Sequence, residues 1–271
     1  RFVIDEANWG KWWNYSKDSS IHPAPASFMV NGDAFKLIQK FYKSIDIRIN
    51  HNSRELKSKL LIISLAVDST GIEWNCDYEP GNNPFARLAG YFDARQVKKN
   101  MDEVLVNLKA FLSKNENVYG IPIERNHLKD TLYVTSKTIL PTQPSNTDIY
   151  ALIKKIQDYA ARNNVKQTGS PIYNVTEMEN NRYQLMAGIP LDRSLKEVDG
   201  FSMKYMVKGS FIITEVVGGD YTVNKASESL LQYFQDFHKT SMAMNFTMLV
   251  TDRLLQPDSS KWITKLYQPV Y

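Results

Sequence analysis

Alternating hydrophobic and polar positions predict a group of β-strands early in the chain. From Ser44 to Asn50 every second residue is isoleucine, which is typical of a strand with one buried face. The run from Leu60 to Val67 is more continuously apolar, and the run from Gly71 to Tyr78 alternates again. We expect these three strands to form an antiparallel meander.

A long amphipathic helix follows this sheet. Proline and glycine at positions 80, 81 and 84 break the strand pattern, and apolar residues then recur at spacings of three and four. They are Val97, Met101, Val104, Leu108 and Phe111. The helix is predicted to close a first domain near Asn115. The aromatic-rich segment 2–13 lacks strand alternation and is predicted to be the end of a helix that runs into a loop.

The rest of the chain repeats one order of elements: strand, helix, strand, strand. The first copy is predicted at 131–139, 149–160, 172–177 and 183–191, and the second at 211–217, 224–239, 245–252 and 262–270. An offset of 78 or 79 residues places Ile153 on Leu231 and Thr135 on Thr214. Two such copies are expected to combine around a pseudo-two-fold axis, and the seam between them is a natural place for a ligand cleft.

Residues for metal and thiol chemistry are scarce. The four histidines, His22, His51, His127 and His238, fit no metal-ligand spacing, so no metal is predicted. The single cysteine, Cys76, excludes an intramolecular disulfide. Because it lies in an apolar strand, we interpret it as a core residue and not as a nucleophile.

Charge and composition point away from several other classes. The net charge is +4, from 33 basic and 29 acidic residues without a run of like charges, and no helix-turn-helix is evident. Direct binding of nucleic acid is therefore not expected. No phosphate-binding loop is present, and no cofactor is predicted. The longest apolar run, 60–67, is far shorter than the roughly 20 residues of a membrane-spanning helix, so no membrane span is predicted.

Three segments of the C-terminal half match a known pattern. They are Gly-Gly-Asp-Tyr at 218–221, Phe-Thr-Met-Leu-Val-Thr-Asp at 246–252 and Trp-Ile-Thr-Lys-Leu-Tyr-Gln-Pro-Val at 262–270. Over residues 119–271 the chain resembles the GyrI-like small-molecule-binding domain, also called the bacterial transcription activator effector-binding domain. The resemblance implies two β-α-β-β repeats, about 121–192 and 205–271, that together bind a small molecule.

Three segments of the N-terminal half match a second pattern. They are Asn-Trp-Gly-Lys-Trp at 8–12, Thr-Gly-Ile-Glu-Trp at 70–74 and Pro-Phe-Ala-Arg-Leu at 84–88, followed by the long helix. Residues 1–118 resemble the START-like SRPBCC superfamily of lipid-transport and polyketide-cyclase proteins. That fold begins with a strand and a helix ahead of the first segment, so its N-terminal part is expected to be missing here. We expect a protein partner, a second copy of the chain (a homodimer) or an upstream segment to cover the exposed sheet edge.

The predicted fold class is therefore α+β with two domains. The first is an incomplete helix-grip (START-like) antiparallel sheet with a long C-terminal helix, and the second is a duplicated β-α-β-β domain with pseudo-two-fold symmetry. The GyrI-like resemblance implies ligand-binding residues at the seam. They are Tyr173, Tyr183, Met186, Glu215, Tyr221, Thr247, Leu249, Lys265 and Tyr267.

Two of these positions depart from the family pattern. Multidrug-sensing members carry pocket acids that neutralise a lipophilic cation, whereas Lys265 and Thr247 stand where the pattern has glutamate. Strand alternation places Lys265 and Tyr267 on one face. A lysine facing the pocket would repel a cation and favour a carboxylate or a neutral polar ligand, with Glu215 as the one nearby acid. The alternative is that Tyr267 completes a core and Lys265 extends to solvent.

Three functions remain open at this point. The preferred one is non-catalytic binding of a hydrophobic or amphipathic small molecule, as a ligand sensor or regulator, and no catalytic residue is assigned. The second is a hydrolase or cyclase, which requires Glu215 or Glu177 within hydrogen-bond distance of Tyr267 or Tyr221. The third is a protein-interaction module with a filled cleft. The cytoplasm is the favoured location, and an N-terminal anchor or signal removed ahead of Arg1 is the alternative.

Overall fold

The computed structural model describes residues 1–13, 28–66, 69–79, 81, 83–127, 132–206, 209–241 and 243–270. They form two compact units, Arg1–Val118 and Tyr119–Tyr271. His22, Val67, Pro80 and Thr131, which enter the predictions above, lie outside the described residues.

The first unit is an antiparallel sheet packed against a long helix. Its elements are β1 (Phe28–Val30), β2 (Asp33–Lys40), β3 (Ser44–His51), β4 (Arg54–Ala66), β5 (Ser69–Cys76) and α1 (Pro84–Leu112), followed by the short helix α2 (Asn115–Tyr119). The strand order is β1-β2-β3-β4-β5, which confirms the predicted meander. The opening segment forms a 3-10 helix, Glu6–Lys11.

Aromatic side chains fill the core between this sheet and α1. Trp9, Trp12 and Trp13 are all buried, and the rings of Trp9 and Trp13 stack at 4.9 Å. The indole N–H groups of Trp9 and Trp12 donate to backbone carbonyls, so these two side chains bury no unpaired donor. Cys76 is half-buried against this core, and burial raises the pKa of its thiol to about 11, which fits a packing role.

The second unit is an eight-stranded antiparallel sheet with two main helices. Its elements are β6 (Glu124–His127), β7 (Leu132–Leu140), α3 (Asn146–Arg162), β8 (Ile172–Met178), β9 (Arg182–Pro190), β10 (Ser202–Tyr205), β11 (Ser210–Val217), α4 (Asp220–Asp236), β12 (Phe246–Leu249) and β13 (Ile263–Val270). The strand order is β10-β7-β9-β8-β12-β13-β11-β6. The predicted β-α-β-β duplication is therefore confirmed, and the two copies meet where β8 pairs with β12.

The register of the duplication differs from the predicted one in the helices. α3 and α4 begin at Asn146 and Asp220, an offset of 74 residues, so Ile153 is equivalent to Ser227 and not to Leu231. Leu231 is 57% exposed, whereas Ile153 is buried. The predicted offset is four residues longer, which is about one helical turn, and such a shift preserves an amphipathic pattern. In the first strands, Ser136 and not Thr135 is the counterpart of Thr214, because these two residues lie opposite Ala187 and Leu266, the matching positions of β9 and β13.

The two faces of this sheet are different. On the first, which we call the helix face, Val134 and Leu185 pack with α3, and Ile212 and Leu266 pack with α4. The opposite face, which we call the open face, carries a separate cluster. That cluster contains Phe211, Phe246 and Tyr267, with Ile172, Met206, Ile213 and Met248 packed against it.

The glycine pair at 218 and 219 has a structural explanation. Gly218 has φ of +139°, and a Cβ there would lie 2.8 Å from Thr222 Oγ1. Gly219 is the N-cap of α4. The pair therefore makes the tight entry into this helix.

Candidate ligand-binding site

A cavity of about 750 Å³ lies on the open face of the second unit. Its apolar wall is built from methionine, aromatic and aliphatic side chains supplied by several strands and the segment before β12. They are Ile172, Met186, Met206, Phe211, Met244 and Phe246. The charged residues of its lining are Lys137, Asp199 and Lys204. A large apolar wall with few charged groups is typical of a small-molecule site.

Strand register fixes the aromatic part of this wall, Phe211 and Phe246, against Tyr267, which does not itself line the cavity. Tyr267 of β13 lies opposite Phe246 of β12 on one side and Ile213 of β11 on the other. The rings of Phe246 and Tyr267 stack at 4.6 Å with 11° between their planes, and the ring of Phe211 meets Phe246 edge-on at 5.8 Å. Because stacked rings on paired strands restrict one another, this part of the wall is preformed.

Two buried phenols belong to the same face. Burial and, to a smaller extent, the neighbouring Tyr267 phenol raise the pKa of Tyr133, which lines the cavity, to about 12. Burial also raises the pKa of Tyr267, while the ammonium of Lys265 opposes that shift. The Tyr267 hydroxyl donates to Met248 Sδ at 3.8 Å. Both phenols are therefore neutral at physiological pH.

Lys265 does not line the cavity. Its Nζ lies 3.1 Å from Glu215 Oε2, and this hydrogen bond raises the pKa of Lys265. The positive charge that the sequence led us to expect in the pocket is thus paired with the one nearby acid. The repulsion of cations inferred from Lys265 has no support in this geometry.

The other predicted site residues are spread over both faces. Met186 lines the open-face cavity. Tyr267, Lys265 and Glu215 share that face, which confirms the alternation predicted for β13. Tyr173, Thr247 and the buried Leu249 lie on the helix face, alternation places Tyr183 there too, and Tyr221 is 80% exposed on α4. The structure therefore does not bring the nine residues into one site.

Some of the predicted residues border a second cavity, about 970 Å³ in volume, on the helix face beside α4. Tyr173 and Thr247 line it where β8 and β12 pair at only two positions. Tyr267 borders it as well.

Several open-face residues escaped the sequence analysis. Phe211 and Phe246 were assigned to strands but not to a site, and Tyr133 was not singled out. The duplication contained a signal for Tyr133, because Tyr133 and Phe211 lie opposite the equivalent prolines Pro190 and Pro269. Met206 and Met244 lie outside the strands, in segments without periodicity.

Other kinds of site have little support in the part of the chain that the structure describes. No group of three or more His, Cys, Asp or Glu side chains there is placed to hold a metal ion. None of the helices there is long and apolar enough to cross a membrane. The hydrolase alternative requires a carboxylate that is hydrogen-bonded to the hydroxyl of Tyr267 or Tyr221. Glu215 instead pairs with Lys265, and the Tyr267 hydroxyl donates to Met248.

Comparison with solved structures identifies the fold. Neither a family model nor a curated protein sequence matches the chain. EcmrR in its complex with DNA is similar, with a TM-score of 0.51 and 13% identity over 70% of this chain and 72% of that one. The crystal structure of the EcmrR C-terminal domain matches with a TM-score of 0.49 and 11% identity over 56% of this chain and 98% of that one. SAV2435 bound to tetraphenylphosphonium matches with a TM-score of 0.42 and 13% identity over 56% of this chain and 94% of that one.

The similarity to EcmrR and the observed duplication together establish the fold of the second unit. The second unit shares its fold with EcmrR, and this similarity supports the GyrI-like resemblance inferred from the motifs of residues 119–271. The START-like resemblance of residues 1–118 stays a prediction.

Proposed function

We propose that the second unit, which has the GyrI-like fold, binds a hydrophobic or amphipathic small molecule in the open-face cavity, as a ligand sensor or regulator and without chemical conversion. The observation that carries this proposal is the wall of methionine and aromatic side chains around a space of about 750 Å³. Binding sites for small organic molecules usually measure about 300–1,000 Å³ and are mostly apolar.

The composition of the wall favours binding of ligands of several different shapes over selection of a single ligand. Met186, Met206 and Met244 are unbranched and polarizable, and such side chains adapt to ligands of different shape. Phe211 and Phe246 supply the flat, preformed part. The preferred ligand therefore has an aromatic or alicyclic body that lies against these rings.

The charges favour a ligand without strong net charge. Asp199 is the one carboxylate in the described lining, and Lys137 and Lys204 are the two ammonium groups. Because the Lys265 charge is paired with Glu215, it adds little to the potential at the cavity. We therefore infer that a neutral molecule binds better than a lipophilic cation.

Titration with N-phenyl-1-naphthylamine, a neutral dye that fluoresces in apolar surroundings, tests the proposal. The whole chain should bind it saturably, and Met186→Arg should weaken binding by about tenfold, since it places a charged group in the apolar wall. Met29→Arg is the matched control, because Met29 is 44% exposed on β1 of the first unit.

Thermal melting first establishes that both variants fold. Equal affinities for the dye in the wild-type, Met186→Arg and Met29→Arg proteins would overturn the proposal. In that case a cleft filled by its own side chains, and a role in binding another protein, would explain the fold better.

A further inference from the structure

The helix-face cavity arises from an asymmetry between the two repeats. At the offset of 74 residues that relates α3 to α4, Tyr150 is equivalent to Asn224 and Ile153 to Ser227. Tyr150 is held in place, because its hydroxyl accepts a hydrogen bond from Arg253 N at 2.8 Å, and Ile153 is buried. On α4 the two smaller polar residues line the cavity of about 970 Å³.

A buried apolar surface forms the floor of this cavity. Leu230 and Phe234 of α4 and Leu266 of β13 line it, and each is no more than 7% exposed. They belong to the core cluster beneath α4, so their positions are fixed by packing. The floor is suited to a flat apolar group.

The polar side chains around that floor are neutral or basic, and none in the described lining is acidic. The described lining contains amides and hydroxyls, including Asn224, Ser227 and Gln268, but no Asp or Glu. Its basic residues are His238 and Lys239, which follow the C-terminal end of α4. No ion pair among the described residues involves Lys239, whose Nζ lies 5.8 Å from the Phe237 ring centroid.

We propose that this cavity is a second binding site, specific for an amphipathic organic anion. The apolar body of the ligand lies on Leu230, Phe234 and Leu266, and its acidic group lies toward Lys239, with the amides and hydroxyls as further hydrogen-bond partners. An unpaired cation at the rim of an acid-free cavity favours an anion over a cation. The two cavities share Asn245 and Phe246 in their linings, but the apolar floor and Lys239 belong to this cavity alone, so the proposal does not depend on the open-face function.

A matched pair of dyes tests the charge preference. 8-Anilino-1-naphthalenesulfonate has the same aromatic body as N-phenyl-1-naphthylamine and carries a sulfonate in addition. With the open-face site weakened by Met186→Asp, whose carboxylate also repels a sulfonate, Lys239→Gln should reduce the affinity for the sulfonate by about fivefold, the size of a partly exposed charge pair, and leave the neutral dye unaffected. Lys225→Gln is the matched control, because Lys225 is exposed on α4 and does not line the cavity.

A second variant tests the location. Asn224→Tyr with Ser227→Ile copies the side chains of α3 into α4 and should remove one sulfonate site per chain, as counted by calorimetry. If this variant melts like the wild-type protein but binds the sulfonate with unchanged stoichiometry, the site is not in this cavity.

The Lys239→Gln variant tests the charge preference without filling the cavity. Equal sulfonate affinities in Lys239→Gln and Lys225→Gln would overturn the proposed anion preference. Failure of the open-face proposal remains distinguishable, because it is read from the neutral dye and Met186→Arg alone.

Discussion

Lys265 on β13 and Glu215 on β11 lie directly opposite each other on the open face, with their charged groups 3.1 Å apart. A lysine that looked in the sequence like a determinant of ligand charge is instead half of a cross-strand ion pair. The motif alone therefore does not give the charge at the proposed ligand cavity.

Reversing one charge of this pair should destabilise the second unit. In Lys265→Glu two carboxylates face each other, and we expect a loss of about 1 kcal/mol, limited by solvent screening of two partly exposed side chains. The double variant Lys265→Glu with Glu215→Lys should recover most of it. Urea unfolding followed by hydrogen exchange of β11 and β13 measures the effect, and equal losses in the single and double variants would contradict it.

The same pair has a defined pH window. Its hydrogen bond to Glu215 raises the pKa of Lys265 above the ordinary value of 10.5. Its contribution to stability is therefore complete below pH 10.5 and disappears as the pH rises through the raised value.

Tyr133 should make the second unit sensitive to alkaline pH. Its pKa is about 12 in the fold and 10.0 in the unfolded chain, so the unfolded state loses this proton first and stability falls as the pH rises from 10 to 12. In Tyr133→Phe that fall should be smaller by about 1–2 kcal/mol. Urea unfolding at pH 9, 10 and 11 checks this, with Tyr42→Phe in the first unit as the control for the substitution. Parallel pH dependence in all three proteins would refute the assignment.

Periodicity in the sequence predicted the strands that have one buried face. β3 alternates because only one of its faces packs against a core. β6 was missed because all four of its residues are exposed, and only backbone pairing with β11 makes it a strand. A strand of this kind has no side-chain period to detect.

The site was harder to predict because it depends on register between strands. Alternation within β13 is enough to place Lys265 and Tyr267 together. It does not show that Thr247 lies on the other face, which follows from its position opposite Leu266. The predicted helix register is wrong for a similar reason: an amphipathic helix looks nearly the same after one turn, so the equivalence of Tyr150 and Asn224 is not visible in the sequence.

A buried polar cluster should control the stability of the first unit. Asn100 of α1 donates to Asp33 Oδ2 at 2.7 Å, and His51 Nδ1 lies 2.5 Å from Asp33 Oδ1, with all three side chains buried. Asn100→Leu removes a donor from a buried carboxylate and should cost about 2–3 kcal/mol.

Hydrogen exchange resolved by mass spectrometry separates the two units in this experiment. Protection should fall in α1, β2 and β3 and stay unchanged in residues 119–271. Asp102→Ala, at an exposed position on the same helix, is the control and should leave α1 protected. Equal protection in Asn100→Leu and Asp102→Ala would mean that the cluster adds nothing to the packing of the first unit.

Arg253 should be the strongest polar determinant in the second unit. Its guanidinium is buried over the Trp262 ring and donates to Asn146 Oδ1 at 2.6 Å and to Asp220 Oδ1 at 2.7 Å. Asn146 and Asp220 are the first residues of α3 and α4, so one side chain holds both helix N-termini. Arg253→Met removes both of these hydrogen bonds and should cost about 2–3 kcal/mol, somewhat below a fully buried pair because Asp220 is partly exposed and keeps its hydrogen bond from Asn146.

The planar geometry of the Arg253 guanidinium group, and not only its charge, should be responsible for this contribution to stability. Arg253→Lys keeps the cation but cannot reach Asn146, Asp220 and Thr264 together, so we expect it to lose about half as much stability as Arg253→Met. The first turns of α3 and α4 should exchange amide protons faster in both variants. The exposed Arg182 supplies the control substitution Arg182→Lys. If these amide protons exchange equally fast in Arg253→Lys and Arg182→Lys, a positive charge alone is sufficient to stabilise the two helix N-termini, and the guanidinium geometry is not needed.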